Sequence, residues 1–220
     1  MKGRSYDDGC ATAHALDLIG ERWALLVVRE LLFGPKRFTD LRNELRSISP
    51  NVLTQRLEDL EAATIVRRRR LPPPAASWIY ELTDWGRELE QPILWLGRWA
   101  ARSPFLKQGL PISRAGLLLA MRANYQPREG GGFHVRLDMP HGVADVIGTP
   151  HGLEIRQDAE TARSPGAVIA ATPSVLDSIL FGGVALREAV AAGDAKVLGD
   201  QGMLERLFRS FPSPAATSAA

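Results

Sequence analysis

The sequence predicts a two-domain protein: a mainly α domain carrying a β-hairpin, followed by a small α+β domain. Three observations carry this expectation. Apolar residues recur at helical spacing from Cys10 to Ala63. Two strand-like runs, IVRRRR and SWIYELT, flank a proline-rich break, LPPPAA, that a helix cannot cross. Beyond SPFLKQGLPIS the pattern changes to short β-rich runs broken by Gly, Pro and Asp.

Taken in order, CATAHALDLIGERWALLVVRELLFG reads as two helices, about 10–19 and 22–32, broken at Gly20 and stopped by Gly34-Pro35. In KRFTDLRNELR, Phe38, Leu41 and Leu45 fall on one helical face. Ser49 is a good N-cap and Pro50 suits the first turn of a helix over 50–62. Leu53, Leu57 and Leu60 face the core there, which turns Asn51, Gln55 and Glu58 outward with Thr54 and Arg56 on the flanks. Residues 65–82 then form a two-stranded ribbon with a long tip. Thr83 caps a further helix, in which Pro92 should kink the chain or mark a fresh start. A helix pair with a short turn, followed at once by a β-ribbon, is the organisation of a winged helix-turn-helix domain, placed at 1–103.

Residues 104–111 read as a linker, with Pro104, Gly109 and Pro111. The second domain, 112–212, opens with a helix, SRAGLLLAMRANY. Strands follow in GGFHVRLDMP, ADVIGTP, GLEIRQD and GAVIAAT, then helices in TPSVLDSILFGG and VALREAVAAGD, a strand in AKVLGD and a last helix in QGMLERLFRSF. The tail, 213–220, is expected to be disordered.

Composition bounds the function. The chain has 220 residues, with 45% hydrophobic and 24% charged, an ordinary globular balance. A net charge of +2 announces no polyanion partner, so such a claim rests on local clustering. Residues 36–70 supply it, with 9 Lys and Arg against 5 Asp and Glu. One cysteine excludes an intrachain disulfide. No stretch is apolar and long enough for a signal peptide or a membrane span, so a cytoplasmic protein is expected, with no membrane partner.

The first half resembles the HxlR family of winged-helix transcriptional regulators, relatives of the MarR group. ALDLIGERWALLVVREL, GPKRFTDLRNEL, ISPNVLTQRLEDLE and YELTDWGREL carry the resemblance in order and spacing, with Cys10 at the family's N-terminal cysteine position. There are two departures: Trp85 stands where a small or aliphatic residue is usual, and GERW where the family has Gly-Lys-Trp. The second half looks like a sterol-carrier (SCP2)-like domain, on AVIAATPSVLDSILFGGVALREAVAAGDAKVLGDQGMLERLF. That resemblance implies a hydrophobic tunnel for an apolar molecule. Phe133, Val135, Leu137, Ile155, Val168, Ile169, Leu176, Ile179, Leu180, Phe181 and Leu207 could line it, or fill a solid core.

For DNA, a helix fits the major groove and its N-terminal residues reach base edges. Ser49, Asn51, Val52, Thr54 and Gln55 form the base-proximal set, with Arg56 placed for a phosphate. Arg37 and Thr39 begin the preceding helix, where free N–H groups suit a phosphate, and Lys36 adds charge; Thr39 could also simply cap that helix. In a strand, Arg67 and Arg69 share one face and Arg68 and Arg70 the other, so only one pair is expected to meet the backbone or minor groove.

Cys10 is either a small buried hydrophobe or, as in some relatives of the resembled family, a sensor of oxidants or electrophiles. Catalysis finds no support: no Gly-x-Ser-x-Gly elbow, phosphate loop or Cys-x-x-Cys pair exists, and His14, His134, His141 and His151 lack metal-type spacing. His141-Gly142 and His151-Gly152 look like turns, and Gly130 to Gly132 like a flexible connection. The expectation is therefore a non-enzymatic, cofactor-free DNA-binding regulator. The resemblance implies a homodimer on a pseudo-palindromic operator and a second domain sensing a hydrophobic small molecule. The alternatives are a redox regulator acting through Cys10 and a hydrophobe carrier whose winged helix mediates protein contacts.

Overall fold

The computed structural model describes residues 5–74, 76–107, 109–128, 132–157 and 164–212. Gly130, Gly131 and the tail from 213 onward lie outside the described residues. The chain divides into two compact units, Met1–Ile93 and Leu94–Ala220, with the division inside one helix.

The first unit contains α1 (Ala11–Ile19), α2 (Ala24–Leu31), α3 (Phe38–Glu44), α4 (Pro50–Ala62), β1 (Val66–Arg70), β2 (Trp78–Leu82) and α5 (Asp84–Glu88); α6 (Glu90–Ala101) begins in it. Its core is built from Val27, Val28 and Leu31 of α2, Leu41 of α3, Leu53, Leu57 and Leu60 of α4, and Ile65, Val66, Ile79 and Leu82 of the ribbon. Each buried α4 leucine lies three or four residues from the next, as one helical face requires.

Gly20 closes α1, its N–H donating to the Leu16 carbonyl. The second helix starts two residues later than periodicity predicts because Trp23 has φ +79, a left-handed conformation that no helix continues. Ser49 caps α4 as expected, its hydroxyl accepting the Val52 N–H at 3.3 Å. Thr83 caps α5 by accepting the Gly86 N–H at 3.0 Å. Gly86 is needed for closeness: a Cβ there would run into the Ile65 carbonyl oxygen. Pro92 marks a fresh start, as the third residue of α6.

The second unit holds the rest of α6, then α7 (Arg114–Asn124), β3 (Phe133–Met139), β4 (Gly142–Thr149), β5 (Gly152–Gln157), β6 (Ala167–Ala171), α8 (Pro173–Leu180), α9 (Leu186–Ala191), β7 (Ala195–Gly199) and α10 (Gln201–Arg209). The sheet is mixed, in the order β5-β4-β3-β6-β7, with β3 and β6 parallel and every other pair antiparallel. His141 and His151 sit in the β3–β4 and β4–β5 turns. Phe133, Val135, Leu137 and Met139 alternate into the core, with His134, Arg136 and Asp138 on the opposite face. On that face Asp145, only 1% exposed, accepts two hydrogen bonds from Arg136 at 2.9 and 3.0 Å. His134 Nε2 stands 3.3 Å from the same carboxylate.

Candidate nucleic-acid interface

The residues proposed from sequence to meet bases are placed as one strip. Ser49, Asn51, Val52, Thr54 and Gln55 are all exposed at the N-terminal half of α4, on the side opposite its buried leucines. Gln55 Nε2 donates to Asp59 Oδ1 at 2.9 Å, one turn on, which holds the amide along the helix surface.

Arg37 and Thr39 are exposed at the start of α3. Thr39 does not cap that helix. The N-cap position is Arg37, and the carboxylate of Asp40 accepts the Arg37 N–H at 3.1 Å, so a side chain inside the first turn closes the helix from within.

Two basic residues are committed elsewhere. Lys36, its side chain 14% exposed, places its ammonium 3.3 Å from Oε2 of the fully buried Glu30, whose other oxygen takes Arg29 at 2.8 Å. The Lys36 backbone also exchanges hydrogen bonds with Tyr80, tying the segment before α3 to β2. Lys36 is thus a structural cation. Arg56, 13% exposed, lies against Asp59 at 3.2 Å and Glu21 at 3.8 Å, so its guanidinium bridges α4 to the α1–α2 turn instead of pointing outward to a phosphate.

The arginine run separates by strand alternation. Arg67 Nε and Arg69 Nε both reach Oε1 of Glu81, at 2.7 and 3.2 Å, across the ribbon. Glu81 is 6% exposed, and hydrogen bonds from Arg69 and Arg67 hold its carboxyl below the usual glutamate range. On the other face Arg68 stacks over Trp78, 4.2 Å from the ring centroid, and Arg70 Nε donates to the Ala76 carbonyl at 3.4 Å.

Sequence reasoning missed Glu21, Glu30, Trp78 and Glu81. Only Glu81 and Trp78 had a readable signal, since a hairpin over 65–82 sets one carboxylate and two aromatics, Trp78 and Tyr80, across from four arginines.

Cys10 is exposed, which overturns the buried-core reading. It occupies the N-cap position of α1, where the nearby Ala13 and Thr12 backbone N–H groups draw its thiol below the usual cysteine value.

The HxlR-like helix-turn-helix family model matches residues 18–106. The HTH-type transcriptional regulator YodB of Bacillus subtilis is 37% identical over 86 residues, 39% of this chain and 77% of that protein. The chain belongs to the HxlR-like family. A second family relative, the uncharacterised B. subtilis regulator YybR, is 36% identical over 95 residues, 42% of this chain and 74% of its own. Among solved structures, the reduced form of YodB matches with TM-score 0.40 and 34% identity over 43% of this chain and 94% of that one. HypR, described as a redox regulator in its oxidised form, matches with TM-score 0.39 and 34% identity over 41% and 94%. HxlR-type membership fits the winged helix of the first unit.

In the second unit, Phe133, Val135, Leu137, Ile169, Leu176, Ile179, Leu180 and Leu207 are buried, whereas Ile155, Val168 and Phe181 are half-buried. The eleven cannot line one tunnel. Val168 pairs with Arg136 and Ile169 with Leu137, so Val168 lies on the sheet face opposite the core. A groove of about 370 Å³ does open along α8 and α9, with Ser174, Val175, Ser178, Glu188 and Asp194 in its lining, and none of the eleven lines it. Among the described residues no cluster of His, Cys, Asp and Glu could hold a metal, and no helix is long and apolar enough to cross a membrane.

Proposed function

We propose that the protein is a DNA-binding transcriptional regulator that acts as a homodimer, reading a pseudo-palindromic operator with α4 and the β1–β2 wing. The observation that carries this reading is the exposed strip Ser49, Asn51, Val52, Thr54 and Gln55 on a capped helix whose opposite face is buried. Asn and Gln amides match adenine edges in the major groove, and a serine or threonine hydroxyl can serve several bases. Arg37 and Thr39, exposed at the start of α3, serve a phosphate. Two copies would set two α4 helices in successive major grooves, about 10 bp apart. Support for a second copy comes from α1, which buries no residue and exposes Leu16, and from the exposed Trp95, Leu96 and Trp99 of α6.

The test is selection from a randomised duplex pool, followed by binding of the selected duplex to wild type and Gln55→Ala. Wild type should enrich a two-fold symmetric sequence, and Gln55→Ala should relax preference at one position per half-site by about 1–3 kcal/mol. No enrichment, or a variant indistinguishable from wild type, would defeat the reading.

A specific observation favours a second reading, in which Cys10 is the switch: its exposed thiol is held toward thiolate at a helix N-terminus. YodB has been solved quinone-bound, and HypR is described as a redox regulator. Cys10→Ser should then abolish the response of DNA binding to quinones and oxidants. The SCP2-like resemblance offers the other switch, a hydrophobic small molecule in the second unit, and native mass spectrometry of the purified protein would reveal a retained apolar mass.

A further inference from the structure

The geometry points to a division of labour within the wing: the Arg68–Arg70 face, organised by Trp78, grips the phosphate backbone, while Glu81 removes Arg67 and Arg69 from that task. This inference rests on the DNA-binding reading above and names the wing face and the residues that position it.

Register sorts the four arginines. Arg67 pairs with Glu81 and Arg69 with Ile79, whereas Arg68 pairs with Tyr80 and Arg70 with Trp78. Strand alternation therefore gives the ribbon one face with two arginines and a carboxylate, and another with two arginines and an indole. On the first face both guanidinium groups converge on one carboxylate oxygen, and a bound phosphate would have to compete with a nearly buried Glu81 for them. On the second, no ion pair among the described residues holds Arg68 or Arg70.

Trp78 is 47% exposed, and the Arg68 guanidinium covers its ring at 4.2 Å from the centroid. Stacking uses the face of the guanidinium and leaves the N–H donors at its edge free. The indole thus fixes a long, flexible cation without consuming its hydrogen bonds, lowering the ordering cost of a phosphate contact. Trp78 is a positioning residue for Arg68. The ligand it serves is the sequence-independent polyanion of the duplex backbone.

The experiment measures binding of the full chain to a short labelled duplex of mixed sequence across a series of KCl concentrations. Each phosphate contact contributes about 0.9 to the slope of log K against log salt. Arg68→Ala and Arg70→Ala should each lower the slope by about that amount per protomer, whereas Arg67→Ala and Arg69→Ala should leave it near wild type. Glu81→Gln should steepen the slope by releasing two cations. Trp78→Leu should weaken binding about 2- to 10-fold with the slope unchanged, and Trp78→Phe should restore it. A merely structural Trp78 would shift the thermal midpoint instead, so melting curves accompany each variant. Should Glu81→Gln fail to fold, the comparison of the two exposed arginine pairs decides alone. Equal slope losses from all four arginines would overturn the division of labour while leaving DNA binding intact. Wild type with no salt-dependent binding would overturn both.

Discussion

Lys36 Nζ lies 3.3 Å from Glu30 Oε2, and the Glu30 side chain is completely buried. A residue that looks from its sequence position like a DNA contact is instead the partner of an interior carboxylate. The same Lys36 backbone pairs with Tyr80, so this ion pair anchors the base of the wing. Removing a cation leaves the interior carboxylate under-compensated, so Lys36→Met should destabilise by up to about 3–5 kcal/mol. Urea denaturation checks this, and a loss under about 1 kcal/mol would mean the pair is better solvated than its burial implies.

Ser49 supplies the cap that starts α4. Ser49→Ala should cost about 1 kcal/mol, and Ser49→Asp should keep most of it because aspartate caps equally well. Thermal melts of the three proteins would separate lost capping from a lost DNA contact, which Ser49→Asp would also disturb.

Leu57 and Gln55 are two residues apart on α4 and should behave as opposites. Leu57→Ala empties core space and should cost about 2–5 kcal/mol. Gln55→Ala should stay within about 0.5 kcal/mol of wild type in stability while altering base preference. A Gln55→Ala protein as unstable as Leu57→Ala would show that the polar strip has a packing role.

The Cys10 thiol, lowered by N–H groups of Ala13 and Thr12, should be alkylated with a pH midpoint below that of a free cysteine peptide. Iodoacetamide kinetics against pH measure it, and a midpoint at or above the peptide's would remove the physical basis for a thiolate switch.

Glu81 makes acid stability predictable in sign. Its folded carboxyl titrates below the usual glutamate range because Arg69 and Arg67 hydrogen-bond the charged form. Its contribution is fully present above the unfolded value and is lost as pH falls through the lower folded value. Stability should therefore decline on acidification through and below the usual glutamate range, and Glu81→Gln should flatten that decline. Denaturation midpoints across that range provide the test.

Legibility in the sequence followed the range of the interaction. Helix α4 was readable to the residue because Ser49, Pro50 and the leucine spacing are local signals. The strands of the second unit were readable from period and turns, including His141 and His151. What was not readable depends on distant partners. Nothing near Lys36 signals that Glu30 will be buried beside it, and nothing near Arg56 signals Glu21. Thr39 looked like a cap because threonine caps helices well, but Asp40, one residue on, closes this helix instead. Val168 and Ile169 are adjacent and equally apolar, and only the pairing of β6 with β3 decides which of them faces inward. The separation of the arginine run into two faces was foreseeable; which face Glu81 would occupy needed the register.

The parallel pairing of β3 with β6 also bears on how the chain is made. β3, β4 and β5 form a meander joined by tight turns and can assemble as soon as they leave the ribosome. The other edge of β3 has no partner until Ala167 and the rest of β6 have been synthesised. During that interval the nascent chain carries an open, largely apolar strand edge, Phe133 to Met139, of the kind that recruits strands from neighbouring chains. A chain truncated after Gln157 should retain that edge permanently and self-associate, whereas one ending at Ile93 contains none of these strands and should not.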